Sequence, residues 1–167
     1  AAEELMLEWS QVKAVHAPAG SAYLNSIFHI QATGGSTSMR GWYKGMRQAG
    51  AIARDMLLTA GAAALGLAKD ACDTQGGSVF AKADPSQNVS FATVASAAAK
   101  LTPPAASDVS LVSAPRLIGQ PVKRTDIPAK VDGSAVFGID VRLELAPLSA
   151  LRAKKVHRQF RAHQLGG

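Results

Sequence analysis

From Trp42 onward, the apolar and small residues Trp42, Met46, Ala49, Ala53, Met56, Ala60, Ala63 and Leu67 recur at alternating steps of four and three. That spacing traces one face of a long helix. Lys44, Arg47, Gln48, Arg54 and Asp55 avoid the stripe and are expected on the solvated side. Gly45, Gly50, Gly61 and Gly66 lower the intrinsic propensity of the segment, and small residues there permit close approach of a neighbour. Ahead of the helix, Leu5 and Trp9 stand one helical step apart, which reads as the last turns of a truncated helix. A short strand over 12–16 and, after turn residues around Pro18 and Gly20, an extended segment over 27–30 are expected next.

Downstream, Gly76 and Gly77 mark a turn ahead of a strand over 78–82, and Ser90 is placed to cap a helix over 91–101. Pro103, Pro104 and several serines make 102–115 a linker, so the domain boundary is expected within 102–130. Beyond the polar turn formed by Asp126, Lys130, Asp132 and Gly133, the residues Phe137, Ile139, Val141 and Leu143 alternate with Gly138, Asp140, Arg142 and Glu144. Period two predicts a strand. The fold class expected from this order is α+β, with no internal repeat.

Nearly half the residues are apolar (47%), enough for a packed core, while aromatics make up only 5%, which favours close-packed small-residue helices over a large aromatic pocket. The net charge of +6 is concentrated, since Arg152, Lys154, Lys155, Arg158 and Arg161 lie together near the end. No aromatic residues interleave with them for base stacking and no nucleic-acid fold motif is present, so nucleic acid is not the expected partner. Cys72 is the one cysteine, which excludes an internal disulfide and a four-thiolate iron–sulfur cluster held by this chain alone. No signal-peptide pattern opens the sequence, and no apolar run approaches the roughly 20 residues that span a bilayer, so no transmembrane segment is expected.

The stretch 33–40 carries the most specific chemistry. Gly34, Gly35, Ser36, Thr37 and Ser38 lie between an extended segment and the start of a long helix. There, free backbone N–H groups and the positive end of the helix dipole favour an anion. Glycines admit close approach, three hydroxyls add donors, and Arg40 adds a fixed positive charge. The stretch has neither the Gly-Lys-Ser/Thr ending of a P-loop nor the spacing of a dinucleotide fingerprint. A plainer reading also stands: Ser36 or Ser38 caps the helix and the glycines make the bend.

The blocks EEL and WSQVK, then QATGGSTSMR, then RQAGAIARDML, in that order, resemble the molybdenum hydroxylases of the xanthine dehydrogenase family. More narrowly, they resemble the large subunits of the isoquinoline oxidoreductase and membrane-bound aldehyde dehydrogenase group. The block IGQPVKRTDIPAKVDGSAVFGIDV is similar to the entry into that family's hammerhead-like domain. The resemblance implies a partial molybdopterin-binding domain over 1–101, a linker over 102–130, the first strand of a hammerhead-like α/β domain over 131–144, and a basic tail over 145–167 that resembles nothing in the family.

It also implies that Gln31, Thr33, Gly34, Gly35, Ser36, Thr37, Ser38 and Arg40 help hold the phosphates of molybdopterin cytosine dinucleotide with its molybdenum. The parent enzyme would hydroxylate aldehydes or N-heteroaromatics with oxygen from water. It would pass electrons to iron–sulfur clusters in a small partner subunit and on to a cytochrome c subunit, at the periplasmic face of the membrane. The family's Gly-Gln-Gly loop and distant glutamate base are missing, so no catalytic residue is assigned and the chain alone is expected to be inactive. The tail is expected to reflect a shifted frame or a truncation. The contrasting reading is a non-catalytic anion-binding or interaction module with a basic tail.

Other residues carry weaker signals. Glu3, Glu4 and Glu8 are expected on a solvated helix face, and His16 and His29 lack a second ligand at metal spacing. Asp70 and Asp73 near Cys72 disfavour its thiolate, giving it a structural role. Met46 and Met56 lie on the helical stripe as core filler.

Overall fold

The computed structural model describes residues 1–15 and 17–141. It is α+β, and the chain falls into two compact units, Ala1–Asp126 and Ile127–Gly167. In the first unit the dominant element is helix α1, Thr37–Leu65, which ends where the N–H groups of Gly66 and Leu67 turn back onto the carbonyls of Ala62 and Ala63. Strands β1 (Cys72–Gln75), β2 (Ser78–Ala81) and β3 (Asn88–Ser90) follow as an antiparallel meander, and helix α2 (Phe91–Ala98) closes the layer. Gln75 pairs with Ser78, leaving Gly76 and Gly77 as a two-residue connection with φ of +58° and +86°. Both central residues of that tight hairpin are left-handed, which is why glycine occupies both.

Period-two burial sets one face of the sheet inward. Cys72 and Thr74 of β1 and Val79 and Ala81 of β2 are buried, while Asp73 and Gln75 face outward. The inward side chains pack on α1 in two clusters, Ala62 with Cys72 and Val79, and Ala60 with Val94 and Ala98 of α2. Cys72 is therefore a core residue. Ser90 caps α2 through its side chain, which accepts from the Thr93 N–H at 3.2 Å. Strands β1 and β3 had no clear signature in sequence: each is short and carries Asp or Asn, and pairing with β2 holds them extended.

The buried face of α1 matches the expected one only in part. Ala60 is buried and Met56 and Leu67 pack on the core as the stripe predicts, but Ala49 and Ala63 are exposed and Met46 is 48% exposed, whereas Gly50, Ala51, Gly61 and Ala62, off the stripe, are buried. The reason lies in Arg47 and Arg54, which point inward to a partner the apolar pattern cannot show. Glu3 and Glu4, expected in solvent, are 3% and 0% exposed. Glu4 pairs with Arg47, lies 3.9 Å from Arg54, and accepts the Val112 N–H at 2.8 Å. Glu3 accepts the backbone N–H groups of Arg116, Leu117 and Ile118 at 2.6–2.8 Å. Only Glu8 is exposed, and Arg116 reaches it at 3.0 Å. The irregular stretch around 110–118 is thus fastened to the opening residues, which form turns rather than a helix. The expected strand over 12–16 is irregular where described, and His16 lies outside the described residues.

Burial alone would push the Glu3 carboxyl up, but the three backbone donors and the Arg116 charge outweigh it and hold it below the ordinary 4.5. A carboxyl depressed on folding contributes stability above its unfolded value and loses it as pH falls through the folded one. Stability of the wild type against urea should therefore fall progressively below pH 4.5, and Glu3→Gln should flatten that dependence. Parallel pH profiles for the two proteins would refute this assignment.

In the second unit, α3 spans Ile127–Val131 and Gly138–Asp140 forms a 3-10 turn. The strand expected from the alternation at 137–143 is not formed over its described part, because Asp140 folds back to accept the Phe137 N–H at 2.9 Å. Its remainder and the basic tail lie outside the described residues.

Candidate anion site at the start of the long helix

The chain enters α1 through two consecutive left-handed residues, Gly35 (φ +55°) and Ser36 (φ +57°). A left-handed conformation at serine is uncommon and is held here by what surrounds it. The Gly34 carbonyl accepts both the Thr37 N–H at 3.0 Å and the Thr37 hydroxyl at 2.7 Å, with Thr37 2% exposed. Ser36 occupies the cap position but its side chain makes no cap bond. The plain capping reading is thus not what the geometry shows: a buried threonine locks the turn, and the serine hydroxyls are left for other use.

Locking the turn this way leaves the N–H groups of Gly35, Ser36 and Ser38 without a hydrogen-bond partner among the described residues. A Cβ built on Gly34 or Gly35 meets nothing within 4 Å, so the approach is open. Arg40, two residues beyond Ser38, is exposed and makes no ion pair among the described residues. Free donors and the positive end of the helix dipole lie together on exposed backbone, with a cation in the first turns of the same helix, a combination that suits a phosphate.

Gln31 plays a different part. Its amide nitrogen donates to the Pro18 carbonyl at 2.8 Å and its oxygen accepts the Gly20 N–H at 3.1 Å, so it ties down the preceding loop. The segment 27–30, expected to be extended, is a turn organised by Asn25. The Asn25 Oδ1 accepts the N–H groups of Ile27 and Phe28, and its backbone bonds Ile30 and His29. Ser26 reaches the Gly41 carbonyl at 3.1 Å and stitches this turn to α1. The turn and the helix start enclose a cleft of about 270 Å³ whose wall includes Tyr23, Asn25, Gln31, Thr33, Ser38 and Trp42.

Sequence reasoning found Thr33, Ser38 and Gln31 in this wall but not Asn25, Tyr23 or Trp42. Asn25 gave no periodic or motif signal, and Trp42 read only as part of the helical stripe. Among the described residues no group of three or more His, Cys, Asp or Glu is placed to hold a metal ion, and no helix is long and apolar enough to cross a membrane.

No family model matches the chain. The chain is 31% identical, over 149 aligned positions and 86% of its length, to a membrane-bound aldehyde dehydrogenase [pyrroloquinoline-quinone] from Gluconacetobacter polyoxogenes. It is 28% identical, over 197 aligned positions and 93% of its length, to the isoquinoline 1-oxidoreductase subunit beta of Brevundimonas diminuta. It spans 18% of the first protein and 25% of the second. The chain is therefore a distant relative, over most of its length, of a short part of two larger proteins named as oxidoreductases.

Proposed function

We propose that this chain corresponds to part of the cofactor-binding subunit of a molybdenum-dependent oxidoreductase of aldehydes or N-heterocycles, and that residues 33–40 anchor cofactor phosphate. The observation that carries the proposal is the trio of N–H groups on Gly35, Ser36 and Ser38, unpartnered among the described residues at the start of the helix that carries Arg40. The names of the two relatives supply the reaction class, and the subunit designation of one of them supports a multi-subunit enzyme; the iron–sulfur partner belongs to the proposal itself. When bound, the molybdenum cofactor supplies the two-electron oxidation of the substrate carbon. This chain's share is binding: N–H groups and Arg40 neutralise phosphate oxygens, and the buried Thr37 keeps them aimed.

A second reading follows from the quinone in the name of one relative. Pyrroloquinoline quinone carries carboxylates and no phosphate, and carboxylates also bind at helix starts. Metal content separates the two. The full-length parent subunit isolated from cells that make the molybdenum cofactor should retain molybdenum, and Gly35→Asp should lower its content at least about fivefold. Aspartate tolerates the left-handed conformation, so the backbone should hold while its charge repels phosphate. Quinone absorbance without molybdenum would favour the second reading, and equal molybdenum in both proteins would sink the anchoring role.

A further inference from the structure

We infer that Asn25 is a ligand-binding residue, whose side-chain amide donates to an oxygen of the anion held in the cleft beside the start of α1. The inference rests on the anion-site reading above and extends it to a residue outside the 33–40 motif. Asn25 is 3% exposed and lines the cleft. Its Oδ1 is engaged by two N–H groups, which fixes which end of the amide is oxygen. Its backbone N–H and carbonyl are bonded to Ile30 and His29. The one polar atom left over is Nδ2, which is buried and has no partner among the described residues.

A buried NH2 group without an acceptor is costly, and native folds rarely keep one without a use for it. Asn25 lines a cleft whose other polar groups suit an acceptor. The Ser38 N–H is free, Thr33 and Ser38 add hydroxyls, and no Asp or Glu lines the wall. Such a donor-rich, carboxylate-free lining selects an oxyanion. At about 270 Å³ the space falls just below the roughly 300–1,000 Å³ of pockets that enclose whole small molecules. It therefore suits a phosphate or diphosphate group, the rest of a larger ligand extending outside.

Amide NMR of the full chain titrated with inorganic pyrophosphate tests this directly. The backbone signals of Gly35, Ser36 and Ser38 and the side-chain NH2 pair of Asn25 should move together along one saturation curve. Asn25→Asp keeps an oxygen for the Ile27 and Phe28 N–H groups while replacing the donor with an acceptor, so affinity should fall about tenfold or more in protein whose amide spectrum is otherwise that of the wild type. If the backbone trio responds while the Asn25 pair stays still, the anion site stands and the role of Asn25 is refuted. If nothing responds in the wild type, the anion-site reading itself fails and takes the inference with it.

Discussion

Replacing Glu4 by Ala is expected to destabilise the first unit by about 3–5 kcal/mol, the range for removing one partner of a buried ion pair. The carboxylate is fully buried, and three groups depend on it: the Arg47 guanidinium, the Val112 N–H and, at 3.9 Å, Arg54. Truncation leaves the largely buried Arg47 charge with only the Val112 carbonyl at 2.7 Å and the ring of Tyr43 at 5.9 Å. Glu4→Gln, which keeps an acceptor for Val112 and loses the charge, should cost less. Chemical denaturation of both variants decides the matter: a loss below about 1 kcal/mol for Glu4→Ala would place this pair among exposed bridges of little worth.

The second large effect is expected at Gly61. A Cβ there would sit 2.5–2.8 Å from the Cγ2, Cβ and Cγ1 atoms of Val79, a residue with no exposed surface. Helix propensity alone would make Gly61→Ala stabilising by about 1 kcal/mol. Overpacking opposes it by about 1–3 kcal/mol and occasionally more. Steric cost wins here, because one of the obstructing atoms is the Val79 Cβ, which no rotamer change removes, so β2 itself must shift. Val79→Ala in the same chain should relieve part of the loss, since it deletes both methyls and leaves that Cβ. Thermal unfolding of the single and double variants should show the coupling, whereas a Gly61→Ala protein as stable as wild type would mean the helix and sheet are less tightly joined than their geometry says.

The two predictions bear on what the sequence made legible. The long helix, the turn at Gly76 and Gly77, the β2 strand and the Ser90 cap follow from period, turn chemistry and capping, all of which act within a few residues. What local rules missed was set at long range. Arg47 and Arg54 read as solvent-facing because their partner Glu4 lies more than 40 residues earlier in the chain. Glu3 read as solvated because its donors are backbone N–H groups, which leave no mark in a sequence. At the candidate site, the loop stood out through its glycines and hydroxyls, but Thr37 as the lock and Asn25 with its spare donor emerge only from burial and bond partners.

The bonds from Glu3 to the 116–118 backbone also bear on the order of assembly. They join residues separated by 113–115 positions, whereas α1, the meander and α2 are contiguous in the chain. Closing so long a loop is entropically expensive until the local elements exist to guide it. The acidic clasp is thus expected to close after the rate-limiting step of folding, and interactions absent from the transition state act on escape from the native state rather than on entry to it. On this view the clasp governs how long the folded unit persists, while the helix and the hairpin govern how quickly it forms.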